Sequence, residues 1–309
     1  MHGVHSHRML SLFPPPQPPP LPDFSSILIA GPYHQSALIH LALSATASTP
    51  PGSSIIFAPS KDALKEGLQL LNDAWLTAHS GEGATVEISS KVTIFYPPTP
   101  AHLCLLLSLL HVSNEKSLEY TWASSQTVLP TAPNLIIITE LSSYFLNPDD
   151  ESSSSSSDLT LPSYLNLVNR ILISLSSMKR SSTGALPKLA LFDSRLSNFK
   201  LPVTNQHQRL FSDGSSSHPQ EMQALPLVER FFQWVGIFEE DSAFVPSSQG
   251  EESTLEGQFK QLRMYRPNDE TDTGVQFVTW TEKTQLSELG TGLQETQFRG
   301  FNIRSAMAV

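Results

Sequence analysis

The stretch FSSILIAGPYHQSALIHLALSAT at residues 24–46 predicts the fold of this chain. An apolar run at 27–30 leads into Gly31 and Pro32, and Ser36 then opens a segment with helical spacing. Strand, turn and helix in this order place backbone N–H groups of a helix N-terminus where they can bind a phosphate. A phosphate loop of the form Gly-x-x-x-x-Gly-Lys-Ser/Thr also needs a second glycine and a lysine. This turn is two residues shorter and has no lysine, so the pattern indicates a phosphate loop that has lost its chemistry.

Composition narrows the class of protein further. The 309 residues carry a net charge of −10, and 39% of them are hydrophobic. An acidic chain lacks the clustered cations that give tight binding to nucleic acid, although a local basic patch stays open. Cys104 is the only cysteine, which excludes an internal disulfide framework and a zinc site of paired cysteines. No apolar run reaches the roughly 18 residues that cross a bilayer, so we expect an intracellular protein that does not bind membranes.

Short apolar runs alternate with helical patterns along most of the chain. Further strands are predicted at 53–60, 92–98, 134–141 and 186–195, and helices at 61–77, 99–111 and 164–178. The continuous run at 134–141, NLIIITEL, is typical of a central parallel strand that is covered on both faces. The order of the elements therefore predicts an α/β fold with a largely parallel sheet.

The C-terminal third has a different pattern. Residues 227–241 predict a helix that turns into a strand. Apolar and polar residues then alternate at 258–268 and 273–282, which predicts an antiparallel hairpin, and 298–306 predicts an edge strand.

The domain organisation follows from the low-complexity segments. Residues 1–23 contain FPPPQPPPLP, and such a polyproline run predicts a disordered leader. Residues 24–309 are predicted to form one domain, with disordered insertions near 147–160, 196–224 and 242–257.

Three features together resemble the RecA-like recombinase paralogues. They are the turn after the first strand, the segment VTIFYPPTPAHLCLLLSLLH at 92–111, and PNLIIITELSSYFL at 133–146. The chain resembles, more narrowly, the small ATPase-like partner of the SWIM zinc-finger protein in the Shu complex, which assists homologous recombination. Tyr96 with the two following prolines matches that family, as do Leu141 and Tyr144 after the later strand and LVERFFQW near the end of the core. The resemblance implies a RecA-like core over about residues 24–245.

The resemblance also shows what the chain lacks. The Gly-Lys-Thr of the family's phosphate loop is deleted after Gly31, and the position of the Walker-B aspartate holds Thr139, with Glu140 beside it. No glutamate follows Tyr96 to activate water. Lys61 is the nearest cation in sequence that could replace the missing lysine. We therefore expect no catalysis and no resident cofactor, with Mg-ATP binding disfavoured.

The resemblance implies two groups of site residues. A vestigial nucleotide site would include Gly31, Tyr33, His34, Gln35, Ser36, Thr139 and Glu140. The alternative for its first part is a plain strand-to-helix turn in which Ser36 caps the helix. A weaker single-stranded DNA site would use Arg195, Lys200, Arg209 and Phe211, cations and an aromatic in a loop region where RecA-like proteins bind DNA. Its alternative is a polar loop without a ligand.

The expected role is a non-catalytic or weakly nucleotide-binding nuclear subunit. It would pair with a SWIM zinc-finger protein as a heterodimer or in a larger complex, and assist a recombinase on single-stranded DNA during double-strand break repair. The recombinase-contact signature Phe-x-x-Ala is absent from the chain, which favours the SWIM protein as the direct partner. Two alternatives stay open: an active ATPase with a nonstandard phosphate loop, and a general α/β interaction scaffold.

Overall fold

A computed structural model describes most of the chain, namely residues 9–16, 18–48, 52–112, 127–129, 131–146, 159–176, 178, 186–203, 220–240, 259–268, 274–287 and 296–308. Its strands are β1 (Ser26–Ala30), β2 (Ser54–Phe57), β3 (Val92–Phe95), β4 (His111–Val112), β5 (Val128–Leu129), β6 (Leu135–Thr139), β7 (Lys188–Asp193), β8 (Lys200–Pro202), β9 (Glu221–Gln223), β10 (Trp234–Glu240), β11 (Phe259–Tyr265), β12 (Gln276–Ser287) and β13 (Thr296–Ala308). Its α-helices are α1 (Ala37–Ser48), α2 (Lys61–Leu71), α3 (Ala74–His79), α4 (Gly83–Ser89), α5 (Pro100–Leu109), α6 (Leu161–Ser176) and α7 (Leu225–Val228). None of the helices in these ranges is long and apolar enough to cross a membrane.

One sheet of nine strands organises the molecule, in the order β13-β12-β11-β10-β1-β7-β6-β2-β3. The six strands from β10 to β3 are parallel, and β11, β12 and β13 extend the sheet by antiparallel pairing. Parallel neighbours need crossover connections, and the helices between them provide these. The predicted fold class, a largely parallel α/β core with a C-terminal antiparallel hairpin, is confirmed.

Both faces of the parallel sheet are covered. Leu135 and Ile137 of β6 pack with α1 on one face, whereas Ile136 and Ile138 pack with α5 and α6 on the other. All residues of β6 are buried. This explains why the sequence of β6 is continuously apolar rather than alternating.

The helix predicted at 61–77 is two helices in the structure. Ser60 caps α2 as predicted, since its Oγ accepts a hydrogen bond from the N–H of Ala63 at 3.2 Å. Asn72 ends α2 in the left-handed conformation, with φ of +47°. Asp73 then caps α3 by accepting the N–H of Leu76 at 3.0 Å. Asparagine and aspartate favour these two positions, so the break has a local cause that the apolar spacing concealed.

The proline-rich leader differs from the disorder expected for residues 1–23. In its described part, residues 9–16 and 18–23, Leu12 and Phe13 are almost fully buried. The N–H of Ser11 bonds to Ser44 Oγ on α1 at 3.2 Å, and the Leu21 N–H bonds back to the Leu10 carbonyl at 2.8 Å. Burial of these apolar side chains against α1 gives the segment a packed position despite its prolines.

The predicted insertions differ from one another. Within 196–224, residues 196–203 and 220–224 are ordered, because β8 pairs with β9 and the Ala224 N–H bonds to the Phe199 carbonyl at 2.9 Å. Residues 204–219, the predicted insertion at 242–257, and residues 147–158 of the first insertion lie outside the described residues.

Candidate functional site

The turn at residues 31–36 leaves β1 at its carboxyl end and is held closed by its own backbone. The Tyr33 N–H donates to the Gly31 carbonyl at 2.7 Å, and the Ala37 N–H donates to the His34 carbonyl at 2.9 Å. Gly31 has φ of +86°, and a Cβ there would lie 2.3 Å from the carbonyl oxygen of Phe238. Only glycine fits this close approach to β10.

The hydroxyl of Ser36 is used inside the protein. Ser36 is fully buried, and its Oγ donates to Asp73 Oδ2 at 2.6 Å. His40 Nε2 on α1 donates to the same carboxylate oxygen at 2.8 Å. Because Asp73 Oδ1 also accepts the Leu76 N–H, this carboxylate joins the turn, α1 and α3. Sequence reasoning missed Asp73, which lies far from the turn in the chain.

The pKa of Asp73 reflects these partners. Burial by itself would raise it, but the hydrogen bonds from His40 and Ser36 outweigh burial, and the pKa lies below the usual aspartate value. The carboxylate is therefore charged at neutral pH and occupies the space beside Ser36.

His34 is a buried neutral histidine. Its Nδ1 lies 3.1 Å from Ser36 Oγ, and since the Ser36 hydroxyl proton goes to Asp73, Nδ1 must be the donor. Burial lowers the pKa of His34 well below its ordinary value. The ring packs among the aromatic rings of Phe13, Phe238, Trp280 and Phe301. His34 therefore has a packing role in this structure.

Thr139 and Glu140 end β6 at the same edge of the sheet. Thr139 Oγ1 donates to the Phe57 carbonyl at 3.3 Å and is buried. Glu140 adopts the left-handed conformation, with φ of +51°. Its carboxylate accepts the Tyr33 hydroxyl at 2.6 Å and the Ser194 hydroxyl at 2.9 Å. Burial and the neighbouring Glu140 raise the pKa of Tyr33 well above its ordinary value, so Tyr33 stays a donor.

Asp193 is a second buried carboxylate that sequence reasoning missed. It ends β7 and accepts hydrogen bonds from the Ser142 N–H at 2.8 Å, the Ser142 hydroxyl at 2.7 Å, the Arg195 N–H at 3.2 Å and the Tyr164 hydroxyl at 3.3 Å. Burial, followed by the charge of Glu140, raises the pKa of Asp193 to about 6. An aspartate directly after the apolar run LALF was the available signal, since carboxyl ends of parallel strands carry ligand sites.

A cavity of about 270 Å³ lies where β1, β2, β6 and β7 end. It brings together four of the predicted nucleotide-site residues with the predicted DNA-binding Arg195: Tyr33, Gln35, Thr139, Glu140 and Arg195. Gly31, His34 and Ser36 do not line it. Ligand pockets usually measure about 300–1,000 Å³, so this cavity lies at the small end.

The other predicted residues are separate from this cavity. Lys200 is exposed on β8, whereas Arg209 and Phe211 lie outside the described residues. Lys61, considered as a replacement for the missing lysine, lines a different depression beside α3. Across the described ranges, no group of three or more His, Cys, Asp or Glu side chains is arranged to hold a metal ion.

Comparisons with known proteins give a likeness of architecture. No protein-family model matches the chain, and no curated protein sequence matches it. Among solved structures, the chain is similar to the ATPase domain of a RecA-like helicase, with 10% sequence identity and a TM-score of 0.36 over 83% of this chain and 80% of that one. A likeness of this size carries no argument about activity or ligands.

Proposed function

We propose that this protein is a non-catalytic, RecA-like subunit that acts as a scaffold in homologous recombination. It would work in the nucleus with a SWIM zinc-finger partner and help a recombinase on single-stranded DNA during double-strand break repair. The observation that carries the non-catalytic part is the hydrogen bond from Ser36 Oγ to Asp73 Oδ2 at 2.6 Å. The recombination part rests on the sequence resemblance at Tyr96, Leu141 and Tyr144.

The closed turn argues against phosphoryl transfer for a chemical reason. That reaction needs a lysine on the phosphates, a hydroxyl on Mg²⁺ and an acidic group that holds the metal. Here the Ser36 hydroxyl binds Asp73, and the Thr139 hydroxyl binds the Phe57 carbonyl. A phosphate beside Ser36 would lie against the Asp73 carboxylate and be repelled by it.

Exposed apolar side chains on α5 and α6 support a protein partner. Leu105, Leu109 and Ile173 expose 53%, 47% and 60% of their surface, and α5 packs against α6. Leu105 and Ile173 line one depression of about 350 Å³ between the helices. Exposed apolar patches on soluble proteins often mark interaction sites, so we assign this surface to the SWIM partner.

The alternative function is a working nucleotide-dependent enzyme. The cavity that contains Arg195 and the N-terminus of α2 is the observation that favours it, because both can bind an anion. A thermal melt with and without Mg-ATP separates the two functions, with Mg²⁺ alone as the control. A ligand at 100 times its Kd adds about 2.7 kcal/mol, which is roughly 5 °C in Tm for a domain of this size. We expect no shift, and a clear rise would refute the scaffold proposal.

Co-expression with a SWIM zinc-finger protein tests the partner. We expect the two chains to co-elute, and the double variant Leu105→Asp, Ile173→Asp to lose the complex while keeping its own melting temperature. Leu70→Asp is the matched control, because Leu70 is 73% exposed on α2, away from this surface. Co-elution that survives the double variant would place the interface elsewhere.

A further inference from the structure

An open groove of about 630 Å³ lies between α2, α3 and the end of β3. Its floor is apolar and is formed by Ile39, Leu64, Leu68, Leu76 and Ile94. Leu64 is also part of the core beneath the groove, so the floor is fixed by packing. The groove is therefore a preformed apolar surface that faces solvent.

The rim of this groove is basic. Lys61 and Lys65 line it and are exposed one helical turn apart on α2. Neither forms an ion pair with any residue that the structure describes. Among the described residues, the only carboxylate in the lining is that of Asp73, whose oxygens already accept hydrogen bonds from Ser36, His40 and the Leu76 N–H.

The charge and shape of the groove together identify its ligand. In a chain with a net charge of −10, two lysines without ion-pair partners in the described structure, beside an apolar floor, are complementary to an acidic, apolar ligand. The lining follows α2 along its length of 11 residues, which is about 16 Å. Residues four apart on a helix have Cβ atoms about 6 Å apart, so carboxylates at positions i and i+4 of a second helix match the two lysines.

We propose that this groove binds an acidic amphipathic helix of a partner protein. Apolar residues at i, i+4 and i+7 of that helix lie on the floor, as in other complexes of a helix with a groove. Its carboxylates face Lys61 and Lys65. The inference does not depend on the role in recombination, because it rests on the groove alone.

The test uses a fluorescein-labelled helical peptide of about 15 residues, with leucine at the floor positions and glutamate elsewhere. A second peptide with lysine in place of each glutamate is the control. We expect saturable binding of the acidic peptide by fluorescence anisotropy, weakening as salt is raised, and at least about tenfold weaker binding to the double variant Lys61→Glu, Lys65→Glu. Lys91→Glu, an exposed lysine outside the groove lining, should bind the peptide like the wild type.

Three results would overturn the proposal. They are no saturable binding of the acidic peptide, equal binding of the basic peptide, and an unchanged affinity in the double variant. Sedimentation of the free protein covers the remaining occupant, since a wild-type dimer that the double variant converts to a monomer would assign the groove to a second copy of this chain. The substituted lysines are exposed, so the variant is expected to fold.

Discussion

The closed turn at 31–36 and the lysine-rimmed groove share one residue, Asp73, and treat their polar groups in opposite ways. In the turn, the hydroxyl of Ser36 and the ring of His40 both bind the Asp73 carboxylate inside the protein. In the groove, Lys61 and Lys65 stand at the surface and form no ion pair within the described part of the chain.

The difference teaches where a ligand can gain free energy. A ligand at the turn would have to break buried hydrogen bonds, and each donor or acceptor left without a partner costs about 1–3 kcal/mol. A ligand in the groove would cover apolar surface and meet charges that are still hydrated. The position that resembles a phosphate loop is therefore the less suitable of the two for binding.

The largest effect is expected for Gly31→Ala in the closed turn. A Cβ would lie 2.3 Å from the Phe238 carbonyl oxygen, at a φ of +86° that side chains rarely adopt. We expect the free energy of unfolding to fall by about 3 kcal/mol or more, measured in urea. Gly81→Ala is the control, because no atom lies within 4 Å of a Cβ there. Equal stability of the two variants would mean that the turn is not held against β10.

Asp73→Ala should have the next largest effect. It leaves the Ser36 hydroxyl and His40 Nε2 without their acceptor and removes the cap of α3. We expect a loss of about 2–4 kcal/mol at pH 7. Because the folded pKa of Asp73 is lowered, its contribution is present above about pH 4 and is lost as the pH falls through the folded value. Asp62→Ala, an exposed position on α2, should lose about 1 kcal/mol at most.

His34→Phe tests the neutral state of the buried histidine through pH. Burial lowers the folded pKa of His34, with His40 and Lys260 acting in the same direction and Asp73 opposing. The unfolded chain, with a pKa near 6.5, then binds a proton that the folded chain does not. Wild-type stability should fall relative to the variant by about 1–2 kcal/mol between pH 6.5 and 5.

The variant comparison isolates His34 from the other titrating groups. Burial raises the pKa of Asp193 to about 6, so Asp193 stabilises at low pH and loses that contribution as the pH rises through about 6, in both proteins alike. His79→Gln, at a more exposed position on α3, should keep the wild-type slope. Parallel stability curves for the wild type and His34→Phe would contradict a buried neutral histidine.

The smallest effect is expected at the rim of the groove. Lys61→Ala and Lys65→Ala should each change the free energy of unfolding by less than about 0.5 kcal/mol, because exposed side chains without partners add little to stability. Chemical denaturation measures this, with Leu64→Ala in the buried floor as the contrasting variant. A loss above about 1 kcal/mol at either lysine would mean that the rim serves the fold rather than a ligand.

Much of the fold was predictable because its signals are local. The apolar run at 134–141 predicted the central strand β6, and Ser60 was predicted as the cap of α2. Of the candidate site, the sequence located Tyr33, Thr139 and Glu140 at strand ends, where parallel strands bring residues together. It did not predict that Arg195 joins them in one cavity, since that depends on β7 lying between β1 and β6.

The sequence by itself determined the α/β class and the loss of the lysine from the phosphate-loop position, because periodicity and residue identity are written along the chain. Only the tertiary structure decided that Ser36 binds Asp73, that the leader packs through Phe13, and that Lys61 lies at a groove. The physical reason is that each of these contacts joins residues far apart in sequence. Their partners are chosen by how the helices pack on the sheet, and no local pattern encodes that choice.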